Sequence, residues 1–198
     1  APGVAIHASV APEGLDLLRK LVVAQTIAPL LEQCLAAAGL AGVPVRRAAV
    51  AGNTTMLHLL LGLSPKGLGT VPFNAVTLTP EPIAGAALGL PVETVEPLAS
   101  AAAYIGADVL GGAYAVGMDR PGPPEMLIDV GTNSEILLRA DGRIYAASAA
   151  AGPAFEGAGL MSGGPATPGA LANLRMDGGA VEVRTCRDAP HTHLGGSA

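Results

Sequence analysis

The sequence contains few cysteines and few lysines, and each shortage excludes a class of protein. Its two cysteines, Cys34 and Cys186, are too few and too far apart for a disulfide framework, a zinc site or an iron–sulfur site. Lys20 and Lys66 are the only lysines, the net charge is −5, and no run of arginines provides an electrostatic surface for nucleic acid. We therefore expect a cytoplasmic protein, in a reducing compartment, with no nucleic-acid partner.

The sequence also lacks a segment suited to a membrane. No basic segment precedes a short apolar run at the start, which argues against a signal peptide. The longest weakly polar stretch, residues 98–118, is long enough to span a bilayer, but it carries Asp108 at its middle and is mostly Ala and Gly. We interpret this stretch as a buried helix and expect no membrane partner.

The composition is that of a folded protein. Half of the 198 residues are hydrophobic and only 14% are charged, so apolar burial can outweigh chain entropy. This length allows one or two compact units. The 27 glycines and 17 prolines indicate many turns and close backbone approaches.

The first part of the chain is dominated by helical patterns. Pro29 should kink or divide the first long helix, because proline cannot continue the helical hydrogen bonding. Periodicity and turn residues predict five elements in this part: a helix over 13–38, a short buried strand over 45–51, a helix over 56–61 capped by Asn53, a weak strand over 73–78 and a long helix over 100–116.

The pattern changes after a proline-rich linker over residues 119–124, where we place the domain boundary. Three strands forming an antiparallel meander are predicted beyond it, over 126–130, 135–139 and 144–148, with Asp141 and Gly142 as the second turn. A glycine-rich stretch over 152–169, with a short helix near Phe155, and a hairpin with its turn at 177–179 complete the chain.

The most informative segment is the hairpin formed by the first two of these strands, 126–130 and 135–139. Asp129 ends an apolar strand, and Gly131, Thr132 and Asn133 turn the backbone into the next one. Gly131 would let the backbone approach an anion, the N–H groups of the turn can point at phosphate oxygens, and Asp129 can hold Mg²⁺ through water. The alternative is an ordinary hairpin whose Asp and Asn satisfy their own turn.

Two further places can contact an anion. Gly52, Asn53 and Thr54 form a helix N-terminus after a strand, where free N–H groups and the helix dipole could face a phosphate. Gly152 lies in a run of small residues after the third strand of the meander. Each place has a structural alternative, since Asn53 can simply cap its helix and the glycine-rich run can be a tightly packed loop.

Other reactive side chains have structural explanations that we favour, and no catalytic residue is assigned. Asp108, where a helix is expected to end, can be a solvated or capping acid, and His58 on an apolar helix suits a core or interface better than a base. Glu135 and Glu156 could orient a water or Mg²⁺, or equally form surface pairs. A metal site would need three ligands that lack a defined geometry: Cys186, His191 and His193.

Five segments of the sequence, taken in order, resemble one family: the ATP-dependent reductive activators of corrinoid proteins, in the region that follows their ferredoxin domain. The similarity covers most of residues 15–175 and is specific as an ordered set. The matching segments are residues 52–63, 72–73, 105–108, 127–133 and 150–158.

The resemblance implies an α/β fold of the actin, sugar kinase and Hsp70 type, ribonuclease H-like, whose two lobes close on ATP and Mg²⁺ and are incomplete in this chain. Residues 1–120 would be a middle region that links or dimerises and belongs to the first lobe. Residues 125–198 would be the start of the C-terminal ATPase-fold domain. The Asp129 hairpin then resembles the second phosphate loop, and residues 52–56 resemble the element connecting the lobes.

The resemblance also implies a function and a partner. Relatives use ATP to drive the uphill reduction of Co(II) corrinoid to Co(I) on a partner methyltransfer protein, and we expect a homodimer. Such driving requires that ATP binding is coupled to a change of conformation, so ATP must bind one conformation of the complex better than another.

The sequence departs from the family pattern in several places. The family usually has Gly where Ser134 stands, and Cys-Gly-Met near residues 162–164. We find no first phosphate loop before residue 15, no adenosine loop after residue 190 and no ferredoxin cysteines. We therefore expect a 2Fe–2S cluster only in a ferredoxin domain outside this chain, and we expect this piece alone to be inactive.

Two other functions stay open. A small-molecule kinase of the same fold would need a catalytic Asp facing a substrate hydroxyl, and none can be assigned. A non-catalytic binding or dimerisation module would suit the Ala-rich first part and the missing nucleotide loops. It would have no nucleotide affinity even in the complete protein.

Overall fold

A computed structural model describes residues 12–154, 157, 159, 161–191 and 193–195. The chain divides into two compact units. Unit 1 comprises Ala1–Leu127 and Leu137–Ala146, and unit 2 comprises Ile128–Ile136 and Ala147–Ala198.

The first predicted helix is two helices. Helix α1 runs over Pro12–Val22 and helix α2 over Ala28–Ala37, with a π-helical turn over Val23–Ile27 between them. Pro29 lies in the first turn of α2. Because proline has no N–H and its ring clashes with the carbonyl four residues earlier, the wider π turn precedes it. The division expected at Pro29 is confirmed, but it falls before the proline.

A three-stranded sheet lies in unit 1. Its order is β1-β3-β2, where β1 is Val45–Val50, β2 is Ile83–Ala84 and β3 is Val92–Pro97. Strand β3 is parallel to β1 and antiparallel to β2. The strand predicted at 45–51 is confirmed, but its predicted burial is wrong, because β1 is an edge strand whose arginines, Arg46 and Arg47, are exposed.

Helices pack on this sheet through one hydrophobic cluster. Helix α3, Thr54–Leu61, follows β1, and the short helix α4, Gly85–Leu88, follows β2. Helix α3 confirms the helix predicted at 56–61, with Asn53 as its N-cap. The cluster joins residues of the π turn, α3, α4, β3 and the connection between α4 and β3: Val23, Leu60, Leu88, Leu90, Val92 and Val95.

The prediction of a weak strand over 73–78 is wrong. Phe73 has φ 61°, and its N–H donates to the Thr70 carbonyl at 2.6 Å, which closes a turn. The N–H of Val76 donates to the His58 ring at 3.1 Å. The segment is a loop because these N–H groups bond to a turn carbonyl and a histidine rather than to a neighbouring strand.

The long helix expected over 100–116 is shorter. Helix α5 runs over Ala107–Ala115, and Gly106 is its extended N-cap. A Cβ atom on Gly106 would lie 2.6 Å from Asn53 Cα, so a tight backbone contact fixes where this helix begins. Asp108 therefore lies in the first turn of α5, at the N-terminal end of this helix and not at the C-terminal end of an earlier one, and its carboxylate accepts from the Val109 N–H at 2.9 Å.

A second hydrophobic cluster joins α5 to the following strands of unit 1. Leu137 is fully buried in it, and Leu110 and Leu127 pack against its edge. Its buried members are Ile105, Val109, Ala113, Met118 and Leu137.

The three strands predicted after the linker are confirmed. Strands β4 (Glu125–Val130), β5 (Asn133–Ala140) and β6 (Arg143–Ala150) form a sheet in chain order. Asp141 has φ 52° and Gly142 has φ 70°. Two consecutive positive φ values are typical of the turn that matches the twist of a two-residue hairpin.

Unit 2 contains a four-stranded sheet in the order β7-β10-β8-β9. The hairpin predicted around 177–179 is confirmed, because Gly178 and Gly179, both at positive φ, join two antiparallel strands. The short helix expected near Phe155 lies outside the described residues. The strands are β7 (Gly163–Gly164), β8 (Ala170–Asp177), β9 (Ala180–Thr185) and β10 (His193–Gly195).

The helices of the described ranges are all too short or too polar to cross a bilayer. The stretch over 98–118 that was long enough by sequence contains only the nine residues of α5 as α-helix.

Candidate functional site

The predicted phosphate hairpin is a turn between β4 and β5. Asp129 is exposed on β4, one residue before the strand ends. Gly131 and Thr132 form the turn, whereas Asn133 is already the first residue of β5. The interpretation of Asn133 as a turn residue is therefore wrong, although it directly follows the turn.

Gly131 lies close to the backbone on the other side of the turn. A Cβ atom at this position would lie 3.2 Å from the Asn133 carbonyl oxygen, closer than ordinary van der Waals contact. A side chain here would therefore require the Asn133 carbonyl to give by a few tenths of an ångström. The small residue keeps the turn tight and its backbone accessible.

The structure brings a second predicted site residue to this turn. The carbonyl oxygen of Thr132 accepts hydrogen bonds from the N–H of Ala151, at 3.1 Å, and from the N–H of Gly152, at 2.9 Å. Gly152 has φ 85°, a left-handed conformation that favours glycine. The glycine-rich run thus begins against the hairpin turn, as a site that combines the two segments requires.

Glu135 lies close to this turn along β5. Its Oε1 atom accepts a hydrogen bond from the Ser148 hydroxyl at 3.1 Å, which links β5 to β6. A carboxylate in this arrangement stabilises the pairing of the two strands. Glu156, the other acid considered, lies outside the described residues.

Gly52, Asn53 and Thr54 form a complete helix start. The Asn53 side chain accepts from the Met56 N–H at 2.9 Å, and the buried Thr54 donates its hydroxyl hydrogen to the Ala102 carbonyl at 2.9 Å. The Gly52 carbonyl accepts from the Ala107 N–H at 3.0 Å. The capping alternative therefore accounts for these side chains, and an anion would have to use the backbone N–H groups that open α3.

His58 is a core residue, as expected. It is 2% exposed, its Nδ1 lies 2.7 Å from the Thr54 carbonyl, and its Nε2 lies 3.1 Å from the Val76 nitrogen. These partners assign the proton to Nδ1, since Nε2 must accept from a backbone N–H. Burial lowers the pKa of His58, so the ring is neutral and structurally engaged.

The residues present fit Mg²⁺ bound with a phosphate better than a metal held by protein alone. Among the described residues, no group of three or more His, Cys, Asp or Glu side chains could hold a metal ion. The metal site considered at Cys186, His191 and His193 gains no support from these residues, and the side chain of His193 is outside them. Mg²⁺ needs only one or two carboxylates when phosphate oxygens and water complete its shell. The exposed Asp129 beside a tight turn meets that requirement.

Sequence reasoning missed Arg139. Its side chain is 10% exposed, and its guanidinium contacts three backbone carbonyls and the Glu125 carboxylate. The available signal was a charged residue at the end of an apolar strand, because a buried arginine requires partners.

Comparison with known proteins places the chain in a family. A family model described as the RACo middle region matches residues 5–121, and one described as the C-terminal domain of RACo, the ASKHA domain, matches residues 124–198. The chain belongs to the RACo family. The predicted family is confirmed, and so is the predicted α/β fold of the actin, sugar kinase and Hsp70 type.

Relatives of the RACo family include two curated proteins. The chain is 33% identical over 176 residues to the corrinoid activation enzyme RamQ of Eubacterium limosum, covering 86% of this chain and 29% of RamQ. It is 43% identical over 74 residues to a reductase of the Co(II) methylated amine-specific corrinoid protein from Methanosarcina barkeri, covering 37% of this chain and 14% of the reductase.

A solved structure of a RACo-type activator has the same fold. It is described as a reductive activator for corrinoid, iron–sulfur protein, and it matches all of this chain with a TM-score of 0.81 at 29% identity. The match covers 32% of that protein. The chain thus spans less than a third of the length of RamQ and about a third of the solved activator.

Proposed function

We propose that the chain is the ATP-binding part of an activator that drives the reduction of Co(II) corrinoid to Co(I) on a partner methyltransfer protein. The observation that carries the proposal is the hydrogen bond from the Gly152 N–H to the Thr132 carbonyl. It brings two of the segments that resemble the family together at one turn. Membership of the RACo family and the names of its relatives support the same function.

The proposed site holds the phosphates of Mg²⁺-ATP at the hairpin. Asp129 would hold Mg²⁺ through water, and the backbone N–H groups of Gly131, Thr132 and Asn133 would face phosphate oxygens. Gly152 would complete the cradle from the other segment.

We propose a separate anion contact at the start of helix α3. Gly52, Asn53 and Thr54 would contribute backbone N–H groups rather than side chains, because the Asn53 and Thr54 side chains bond within the fold.

ATP can drive an uphill electron transfer only if it binds one conformation of the complex better than another. The cofactors carry the redox chemistry at cobalt and at the 2Fe–2S cluster, which we place in a ferredoxin domain outside this chain. The residues of this chain would supply binding and closure.

The organisation of the protein follows from the same proposal. Residues 1–120 would be the middle region, which links or dimerises, and residues 125–198 would begin the ATPase-fold domain. We propose a homodimer that works in the cytoplasm on a corrinoid protein.

The test is reduction of a Co(II) corrinoid protein by the intact gene product, with an electron donor, followed through the absorbance change from Co(II) to Co(I). We expect reduction that requires Mg²⁺-ATP. A rate that does not depend on ATP would refute the proposal. Phosphate transfer to a small hydroxyl or carboxyl compound would instead indicate the kinase function, and no nucleotide affinity would indicate a binding module.

A further inference from the structure

Arg139 is a charged side chain in a position where charge is rare. It lies near the end of β5, and the whole residue is 8% exposed. Burial of a guanidinium is unfavourable unless its N–H groups are bonded. The structure supplies the partners from one continuous segment, residues 117–125, which we call the connector.

The connector closes around the guanidinium. Nη1 donates to the Gly117 carbonyl at 3.1 Å and to the Arg120 carbonyl at 2.8 Å. Nε and Nη2 both donate to the Pro123 carbonyl, at 3.4 and 3.2 Å. Nη2 also pairs with the Glu125 carboxylate at 2.7 Å. One side chain therefore bonds to four points along the connector.

The contact leaves no room beside Gly122. A Cβ atom on Gly122 would lie 2.6 Å from Nη2 of Arg139 and 3.1 Å from Cζ. The glycine thus lies directly against the guanidinium. Two residues before Arg139 on the same strand, Leu137 is fully buried with Met118 of the connector, which fixes the segment by an apolar contact as well.

The connector joins the two regions of the family. The family models meet between residues 121 and 124, inside the connector. Composition alone suggested a proline-rich linker there, whereas these bonds make it an ordered segment. Strand β5, which carries Arg139, begins at Asn133 directly after the proposed phosphate turn.

We infer that Arg139 is a positioning residue, which holds the connector in one conformation so that nucleotide binding at the hairpin is transmitted to the middle region. The inference rests on the proposed function. Without Arg139, three carbonyls and a carboxylate lose their shared donor, and the connector is free to take other conformations. ATP would then bind without driving reduction.

The experiment uses the full-length protein and compares Arg139→Met and Arg139→Lys with the wild type. Hydrogen exchange of the connector amides, Mg²⁺-ATP binding and ATP-dependent corrinoid reduction are measured on each. We expect connector exchange in Arg139→Met to rise at least about tenfold and ATP stimulation to fall about tenfold, while nucleotide affinity stays within roughly threefold. Arg139→Lys should restore part of both effects, since it retains the charge but not the fork.

Two further variants keep the inference testable. Gly122→Ala perturbs the same contact without removing the arginine and should give the same pattern, even if Arg139→Met does not fold. Arg143→Met removes an exposed arginine just beyond β5 and should change nothing. Unchanged connector exchange, or a loosened connector with full ATP stimulation, would overturn the inference. Absence of Mg²⁺-ATP binding in the wild type would refute the proposed function instead, while the exchange data would still report on the connector.

Discussion

The N–H of Gly152 donates to the carbonyl oxygen of Thr132 at 2.9 Å. Twenty residues of sequence separate the two, and strands β5 and β6 lie between them. The bond holds the start of the glycine-rich run against the β4–β5 turn. A ligand bound at this turn can therefore contact both segments.

Substitution of Gly152 by Ala should weaken Mg²⁺-ATP binding. The left-handed backbone at φ 85° disfavours a side chain by about 1–2 kcal/mol, and relaxation would move the N–H away from Thr132. No neighbouring atom lies within 4 Å of a Cβ at this position, so backbone strain alone would act. Calorimetry on the full-length variant measures the loss.

The matched control for Gly152→Ala is Gly142→Ala. Gly142 has φ 70° and the same open space, but it lies in the β5–β6 turn. It should lose similar stability without losing nucleotide affinity. Equal nucleotide affinities in the two variants would contradict the role of Gly152.

Asp129→Asn should weaken Mg²⁺-ATP binding without unfolding the protein. The side chain is exposed on β4, so an amide of the same shape fits, but it cannot offer the negative charge. We expect a loss of roughly 1–3 kcal/mol in binding free energy, the scale for removing a charged partner. Titration calorimetry with and without Mg²⁺ measures it, and the difference between the two conditions should shrink in the variant.

Asp141→Asn is the control for Asp129→Asn. Asp141 is also exposed and has φ 52°, a conformation that Asn tolerates. The overall charge changes equally in both variants. A similar loss of affinity in Asp141→Asn would mean that general electrostatics, and not a metal contact at Asp129, weakens binding.

The sequence predicted best the elements that depend on neighbouring residues. Asn53 caps α3, and the turns at Asp141–Gly142 and Gly178–Gly179 form as expected, because cap and turn chemistry is local. The central strand β3 was missed, since prolines and glutamates interrupt its apolar pattern and its parallel pairing with β1 is not local.

The misses near the candidate site have the same cause. The beginning of α5 is fixed by contact of Gly106 with Asn53, which no periodicity encodes. The contact between Gly152 and Thr132 joins separate segments, and the sequence identified both residues but could not show that they are hydrogen-bonded to each other. Arg139 gave only the weak signal of a charge on an apolar strand, because its partners are mostly backbone carbonyls.

The contact between Gly106 and Asn53 gives a stability prediction. Gly106→Ala would place Cβ 2.6 Å from Asn53 Cα and 3.1 Å from the Gly52 carbonyl oxygen, so backbone must move. We expect a loss of about 1–3 kcal/mol in the free energy of unfolding, typical of overpacking. Urea denaturation followed by circular dichroism measures it.

Gly112→Ala is the counterpart of Gly106→Ala on the same helix. Its Cβ would lie 3.6 Å from Leu127, an ordinary contact, and alanine favours helix over glycine by about 1 kcal/mol. This variant should be as stable as the wild type or more so. Equal destabilisation of both variants would show that α5 tolerates no change, and that the Gly106 contact has no special role.

His58 should make the stability of unit 1 depend on pH. Burial lowers the pKa of this histidine below its ordinary value of 6.5, so the unfolded chain binds the proton more readily than the folded one. Stability from the neutral ring is therefore complete above pH 6.5 and falls as pH drops toward the lowered pKa. Protonation would also put a hydrogen on Nε2, which faces the Val76 N–H at 3.1 Å, and would release that end of the 73–78 loop.

The measurement compares the free energy of unfolding of wild type, His58→Gln and His191→Gln between pH 7.5 and about pH 5, a range that spans the ordinary histidine pKa. His58→Gln does not titrate, so its stability should fall less over this range, although it starts lower because the ring is lost from the core. The exposed His191 is the control, and His191→Gln should keep the wild-type pH dependence. If His58→Gln kept it too, other groups would account for the acid sensitivity. Increased hydrogen exchange at Val76 in the wild type at low pH would locate the first opening at this contact.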